Sequence, residues 1–279
     1  MIKIDNLEKN YKGFSLSISM EITPGRVTGI VGRNGAGKST TIKAILGLIS
    51  PDNGSVSVFG TEATRLSKKE KSQIGVALAD SGFSTYLTLN DVIAIMKNMY
   101  REFDAKAFRE ECKRQKLPFD KKIKDFSTGM KAKLRVLVAM SHEAKLLILD
   151  EPTAGLDVLA RNEILDMLRD YLAKDATRSL LISSHISSDL EGLCDDIYMI
   201  SEGKIILHED TDQILSNYAV IKVDDATFEK LDQKYLLKTK KEAFGYCCLT
   251  NEKGYYVDNY PNIIVENGNI DDLIIMMNS

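Results

Sequence analysis

Several kinds of segment are missing from this 279-residue chain, and each absence excludes a class of protein. No apolar run approaches the roughly 18 residues that a membrane-spanning helix needs. The first residues, Met1-Ile2-Lys3-Ile4-Asp5, lack the apolar core of a signal peptide. The four cysteines show no C-x-x-C spacing, so they do not indicate a zinc site and fit reduced thiols in a reducing compartment. We therefore expect a cytoplasmic chain that can reach a membrane only through a partner.

An excess of basic charge is also absent. The net charge is −3 and the sequence pI is about 5.8, which disfavours nucleic acid as a partner. Hydrophobic residues make up 44% of the chain and charged residues 28%, as is usual for a globular protein with a sizeable core. The length suggests one large domain or two unequal ones.

The most informative segment is a glycine-rich loop, Gly32-Arg33-Asn34-Gly35-Ala36-Gly37-Lys38-Ser39-Thr40. It matches the phosphate-loop pattern G-x-x-x-x-G-K-[ST]. Val27–Val31 is predicted to be a buried strand before it, and Thr41–Leu48 a helix after it. Glycines let backbone N–H groups turn toward phosphate oxygens, Lys38 is suited to the β- and γ-phosphates, and the Ser39 hydroxyl is suited to Mg²⁺. The segment predicts a nucleotide site; the alternative is a glycine-rich turn before a core helix.

The remaining pattern predicts an α/β fold in which a parallel sheet has helices on both faces. Residues 2–31 alternate between apolar and polar types and predict antiparallel strands, with a turn at Pro24-Gly25. The other predicted elements are a turn at Asp52-Asn53-Gly54, a strand over Ser55–Phe59, helical structure over 90–115 that ends before Pro118, a helix over 129–142, and strands at Leu146–Leu149 and Leu180–Ile182.

The sequence pattern changes after about residue 210. Short β-like runs at Ala219–Val223, Tyr255–Val257 and Ile263–Val265, followed by a helix over Ile270–Met277, predict a small α+β appendage. We expect a main domain over residues 1–208, with a phosphate-loop core, an N-terminal antiparallel β subdomain and a helical subdomain at about 80–145. Residues 209–279 form the accessory domain.

A carboxylate pair, Asp150-Glu151, follows the apolar strand Leu146–Leu149. Phosphate-loop enzymes present an Asp to Mg²⁺ from such a strand end. Glu151 can then orient or deprotonate the attacking water. The alternative is a strand end with an N-capping carboxylate.

Two further motifs accompany the pair. Ser127 and Gly129 in Phe126-Ser127-Thr128-Gly129-Met130 precede a predicted helix, where free N–H groups favour an anion, although an ordinary capped helix has the same pattern. His185 follows the strand Leu180–Ile182, and a residue at the carboxyl end of a parallel strand lies in the ligand crevice. A packing role is the alternative for this histidine.

The order of these motifs, with Ala154-Gly155-Leu156-Asp157 between Glu151 and His185, resembles the ATP-binding-cassette (ABC) ATPases over residues 1 to about 208. The resemblance implies ATP and Mg²⁺ as cofactors, adenine stacked on Tyr11, and Asp157 among the nucleotide-binding residues. It also implies a head-to-tail pair of like or unlike chains. In that pair, Ser127 and Gly129 of one chain close over ATP held by the other.

Two departures from the family pattern bear on function. The usual Leu-Ser-Gly-Gly-Gln motif ends here in Met130, and this form followed by Lys131 resembles subunits that serve bacterial ABC-2 type exporters. The family places Gln or Glu near Ala79, where it touches Mg²⁺ and senses the membrane subunit. Alanine cannot do this, and the neighbouring Asp80 is the candidate replacement through a water molecule.

The resemblance implies an ATPase that drives export of a peptide, antimicrobial or drug through a separate transmembrane subunit, and that lies on the inner face of the membrane. The alternatives are a soluble ABC ATPase without a transport role and a regulatory ATP-binding subunit with weak turnover. Four large apolar residues, Phe83, Tyr86, Leu87 and Leu89, either pack inside the helical subdomain or line a groove for the membrane subunit.

Overall fold

The computed structural model describes residues 1–79, 82–243 and 245–277, in which the strands form three sheets. The strands are β1 (Ile2–Tyr11), β2 (Phe14–Ile22), β3 (Val27–Val31), β4 (Asn53–Val58), β5 (Thr61–Glu62), β6 (Ile74–Ala77), β7 (Leu146–Asp150), β8 (Ser179–Ser183), β9 (Asp196–Ser201), β10 (Lys204–Asp210), β11 (Ala219–Val223), β12 (Leu236–Glu242), β13 (Gly245–Thr250) and β14 (Ile264–Asn267). The helices are α1 (Lys38–Ile45), α2 (Lys68–Lys71), α3 (Leu89–Met99), α4 (Ala105–Arg114), α5 (Thr128–Met140), α6 (Val158–Ala173), α7 (Ser187–Glu191), α8 (Thr211–Asn217), α9 (Asp225–Phe228), α10 (Lys253–Asn259) and α11 (Ile270–Met277).

The N-terminal sheet is antiparallel, in the order β2-β1-β4-β5. Its alternating pattern is confirmed in β2, where every second side chain is buried. The prediction of antiparallel pairing was wrong for β3, which is buried along its whole length and joins the central sheet instead. The predicted turn at Asp52-Asn53-Gly54 was wrong for its last two residues, because Asn53 and Gly54 begin β4. A Cβ on Gly54 would lie 2.0 Å from the carbonyl oxygen of Asn6, beside a register shift in β1.

The central sheet has the order β10-β9-β3-β8-β7-β6. Its strands are parallel except for β10, which pairs antiparallel with β9. Leu146 and Ile148 face a core shared with the N-terminal sheet and α1, whereas Leu147 and Leu149 face a core shared with α5 and α6. The strands are therefore covered on both faces, and the open positions lie in the loops at their ends.

Residues 90–115 are helical as predicted, but two helices divide the segment. Helix α3 ends at Met99, and α4 starts after Asp104, whose carboxylate accepts hydrogen bonds from the N–H groups of Lys106 and Ala107. The cap sets a new helix start that the apolar spacing does not reveal. Helix α5 begins after Ser127, in agreement with the predicted cap. Helix α1 starts three residues earlier than predicted, directly at Lys38.

The C-terminal residues form a sheet in the order β12-β13-β11-β14. The β-like interpretation of Tyr255–Val257 was wrong: these residues lie in α10, where Tyr256 is buried and its hydroxyl donates to the carbonyl of Asp232. One face of the sheet has its own small core around Ile221 and Tyr256. The opposite face and helix α11 join the core of the parallel sheet. The domain boundary after residue 208 stays a prediction.

Two further observations concern membrane-spanning helices and the cysteines. Within the described ranges, no helix combines the length and the hydropathy that crossing a bilayer requires. The four cysteines are free and buried.

Candidate active site

The phosphate loop joins the carboxyl end of β3 to the first residue of α1. Gly37 occupies the N-cap position with φ +120°, and a Cβ there would lie 2.7 Å from Cδ1 of Leu16. Only glycine fits this position without displacing a core side chain. Since the cap has no side chain and the first turn has no acidic residue, the first N–H groups of α1 are available to an anion.

Lys38 is held over the loop. Its Nζ donates to the carbonyl of Gly32 at 2.8 Å and lies 3.5 Å from Oε1 of Glu151. The residue is only 6% exposed. The ammonium is therefore fixed between the loop and the carboxylate that follows β7, where a phosphate group can exchange for the glutamate.

The carboxylate of Asp150 ends β7 and is buried. The register pairs Asp150 with Ser183 at the end of β8, and the Ser183 hydroxyl donates to Oδ1 of Asp150 at 2.5 Å. Ser183 also accepts a hydrogen bond from the N–H of Glu151 through its hydroxyl oxygen, at 3.1 Å. Ser183 therefore orients both acidic residues, a role that sequence reasoning missed because it depends on which strands are neighbours.

Glu151 and His185 form a hydrogen-bonded pair. Nδ1 of His185 lies 2.5 Å from Oε2 of Glu151, and the backbone N–H of His185 donates to the same oxygen at 3.2 Å. Glu151 has a φ of +51°, in the left-handed region that residues with a side chain rarely adopt. Such backbone strain persists where the surroundings hold it and is common at functional sites.

Lys38, Glu151 and His185 open onto one cleft of about 890 Å³, whereas Asp150 and Ser183 are not among the described residues that line it. Among the described residues, the cleft brings together most of the predicted set, namely Tyr11, Arg33, Asn34, Gly35, Gly37, Lys38, Ser39, Thr40, Glu151 and His185. Tyr11 stands at its edge, 47% exposed, and the Phe14 ring lies 6.4 Å away, centroid to centroid. Phe14 packs toward Gly37, so Tyr11 offers the more open aromatic face.

Ser127, Gly129 and Asp157 are not among the described residues that line this cleft. Ser127 and Asp157 are exposed N-caps of α5 and α6, and their side chains accept hydrogen bonds from Met130 N and Ala160 N. A Cβ on Gly129 would lie 3.3 Å from Cβ of Ala160, so the two helix starts are neighbours. These predicted residues thus lie on a second surface of the same chain, where Ser127 and Asp157 are exposed and Gly129 is half-buried.

The segment after β6 carries the departure from the family pattern. Ala79 lines the cleft and has no side-chain atom that binds a metal, and Nη1 of Arg135 donates to its carbonyl at 2.8 Å. Asp80, the candidate replacement, lies outside the described residues. Its role stays a prediction.

A parallel sheet, a phosphate loop with its lysine, and a carboxylate pair at the adjacent strand end define a phosphate-loop ATPase. The family model described as ABC transporter matches residues 16–154. A lantibiotic transport ATP-binding protein of Streptococcus pyogenes, SrtF, is 35% identical over 76% of this chain and 92% of its own length. The bacitracin transport ATP-binding protein BcrA of Bacillus licheniformis is 36% identical, over 74% of this chain and 68% of its own length.

Solved structures agree with these relatives. An ATP-binding subunit of an ABC transporter has a TM-score of 0.65 and 27% identity, over 77% of this chain and 91% of its own. A dimeric ATP-binding cassette in a post-hydrolysis state with ADP and Pi has a TM-score of 0.66, over 76% of this chain and 99% of its own. At 22% identity this second likeness shows the fold alone. The chain belongs to the ABC transporter family, as an ATP-binding subunit of the kind that hydrolyses ATP.

Proposed function

We propose that this chain is the motor subunit of a bacterial exporter and that its own cleft supplies the catalytic carboxylate. The observation that carries the proposal is the convergence of Lys38, Glu151 and His185, with separations of 3.5 Å and 2.5 Å. In this assignment Glu151 accepts a proton from the attacking water, and His185 holds the glutamate in position. Lys38 binds the β- and γ-phosphates.

Mg²⁺ fits the donor set on the phosphate side of the cleft. The Ser39 hydroxyl lines the cleft, and the carboxylate of Asp150 is oriented by Ser183. Both are hard oxygen ligands, and Mg²⁺ in ATPases is commonly held by one or two protein oxygens together with phosphates. Bound there, Mg²⁺ supplies neutralisation of phosphate charge. Tyr11 stacks on the adenine, and the loop residues from Gly32 to Thr40 bind the phosphates.

The active assembly is a head-to-tail pair of subunits. Ser127 and Asp157 are exposed, and neither they nor Gly129 line the described cleft of their own chain, which supports a role toward the nucleotide of a second subunit. The adjoining Val158 and Leu159 are apolar and largely exposed at the start of α6, which supports burial of this surface in a pair. A second ATP-binding subunit encoded beside this one would indicate a pair of unlike chains, and its absence a pair of like chains.

The membrane subunit docks on the helical subdomain. A groove of about 300 Å³ lies between the segment after β6 and helix α5, and Phe83, Ile123, Leu134 and Val138 line it. The apolar cluster seen in the sequence is divided: Leu89 is fully buried, Phe83 and Leu87 pack against the core, and Tyr86 is 70% exposed. Tyr86 does not line the groove but follows Thr85, which does, and it is the exposed apolar residue beside it. Docking there brings the chain to the inner face of the membrane.

The cargo is an antimicrobial compound, most simply a peptide. Relatives at 35% and 36% identity are named for lantibiotic and bacitracin transport. The intact phosphate loop, Glu151 and His185 support turnover rather than a purely regulatory role. We treat residues 209–279 as an accessory domain of the subunit.

Co-expression with the neighbouring membrane subunit tests this function. We expect Tyr86→Asp to lose co-purification of the partner while the isolated subunit keeps its melting temperature and ATP affinity. Met99→Asp is the matched control, because Met99 is a comparably exposed apolar residue at the end of α3. Wild-type recovery of the partner with Tyr86→Asp would place the docking surface elsewhere, and absence of any partner-stimulated ATPase activity would contradict the motor role.

A further inference from the structure

One buried carboxylate has no part in the mechanism above. Asp189 lies in α7 and is 1% exposed. Its Oδ2 accepts a hydrogen bond from the Thr153 hydroxyl at 2.6 Å. Its Oδ1 accepts two from Arg161, from Nε at 3.2 Å and from Nη2 at 2.8 Å. An ionised carboxylate at this depth is stable only because both oxygens are paired.

The three residues of this network, Asp189 and its two partners, come from three functional segments. Thr153 follows Glu151 by two residues, and Arg161 lies one turn into α6, whose N-cap is Asp157. Asp189 follows His185 by four residues. Asp189 thus joins three segments through hydrogen bonds. They are the segment after Glu151, the start of α6 that is proposed to face a second subunit, and helix α7, which follows His185.

Other contacts also hold these segments, since Leu190 of α7 is fully buried and Nη2 of Arg161 donates to the Ser188 hydroxyl at 3.1 Å. Helix α7 has only five residues, and its N-cap, Ile186, provides no side-chain hydrogen bond. The left-handed backbone of Glu151 is a strained conformation that the surrounding structure must hold. A fully paired buried network is rigid, so Asp189 can transmit a shift of one segment to the others.

We propose that Asp189 is a positioning residue that aligns Glu151 and His185 with the subunit surface at Asp157. The proposal rests on the proposed roles of those three residues. Because Asp189 does not line the nucleotide cleft, it affects the rate of hydrolysis and not the affinity for ATP. Closure of a second subunit on Asp157 then reaches the glutamate–histidine pair through Arg161 and Asp189.

The chain offers a close control for a merely structural role. Asp196 is also a buried aspartate: its Oδ1 accepts a hydrogen bond from the Thr28 hydroxyl at 2.8 Å and lies 3.9 Å from Nε of Arg26. It begins β9, at the end of the parallel sheet opposite to the cleft. Asp196→Asn therefore changes a similar network without touching the site.

The experiment compares Asp189→Asn with Asp196→Asn and Glu151→Gln in the full chain. We expect Asp189→Asn to lower kcat about tenfold or more and to leave the Kd for ATP within about threefold of wild type. Asp196→Asn should lower the melting temperature but keep kcat within about twofold. In a His185→Ala background, the further loss from Asp189→Asn should be small, because residues that act through one another are not additive.

Three results separate the possible failures. Equal effects of the two Asp→Asn variants on kcat, or fully additive losses with His185→Ala, would overturn the positioning role. Near wild-type turnover in Glu151→Gln would instead overturn the assignment on which the proposal rests. If Asp189→Asn does not fold, Thr153→Val removes only the hydroxyl that donates to Asp189, and the same loss of kcat is expected.

Discussion

Replacing Glu151 by glutamine removes the negative charge that competes with the phosphates of ATP for the ammonium group of Lys38. Oε1 of Glu151 lies 3.5 Å from the ammonium, a separation at which opposite unit charges attract by about 1 kcal/mol in water and about 5 kcal/mol at an effective dielectric constant of 20. The low exposure of Lys38 places the pair between these limits. Even the lower figure corresponds to about fivefold tighter binding of ATP phosphates in Glu151→Gln.

The same substitution removes the proposed general base. We expect kcat to fall by about 10²-fold or more, since general-base catalysis contributes about 10² to 10⁴. Bound ATP should then hold the head-to-tail pair together, as measured by size-exclusion chromatography with and without ATP. Calorimetry gives the Kd, and Glu202→Gln is the control, because Glu202 lines the neighbouring cleft beside the phosphate loop. Weaker ATP binding, or phosphate release within about tenfold of wild type, would refute this reasoning.

Three other predictions follow from the same structure. Lys38→Ala should weaken ATP binding by about 10- to 100-fold, because a charged hydrogen bond to phosphate contributes about 1.5–3 kcal/mol; an unchanged Kd in calorimetry would contradict its role. Tyr11→Ala should cost about 1–3 kcal/mol of ATP affinity while Tyr11→Phe is nearly silent, and a loss seen only in Phe14→Ala would identify the other ring. Burial raises the pKa of the Cys112 thiol from 9.0 to about 12, so the unfolded chain releases this proton first. The free energy of unfolding in urea should therefore decline from pH 9 toward pH 12, less steeply in Cys112→Ala, and equal slopes would show that the thiol does not contribute.

The local motifs were predictable because each depends on neighbours in the chain. The loop from Gly32 to Thr40 needs only a strand before it and a helix after it, and both are present. The position of His185 beside Glu151 also follows from a simple rule, since both residues come after parallel strands. These parts of the fold and of the site could therefore be predicted from the sequence alone.

Contacts between distant residues were not predictable. The partners of Asp189 are 36 and 28 residues away, and no spacing pattern indicates such a pairing. Strand neighbours decide that Ser183, and not another serine, orients Asp150. The aromatic run at Tyr255 has the composition of a strand, but the burial of Tyr256 against Asp232 favours a helix there.

The attachment of helix α11 has a consequence for biosynthesis. Its first N–H, at Ile270, donates to Oε1 of Glu191, and Leu273 and Met276 are buried in the core around the parallel sheet. A nascent chain that has emerged only as far as β10 cannot complete this core, although the ATP-binding motifs are already made. Such an intermediate exposes apolar surface beside α7, so a stalled or prematurely terminated product is a substrate for chaperones and proteases. Completion of the core around the parallel sheet thus waits for the translation of α11.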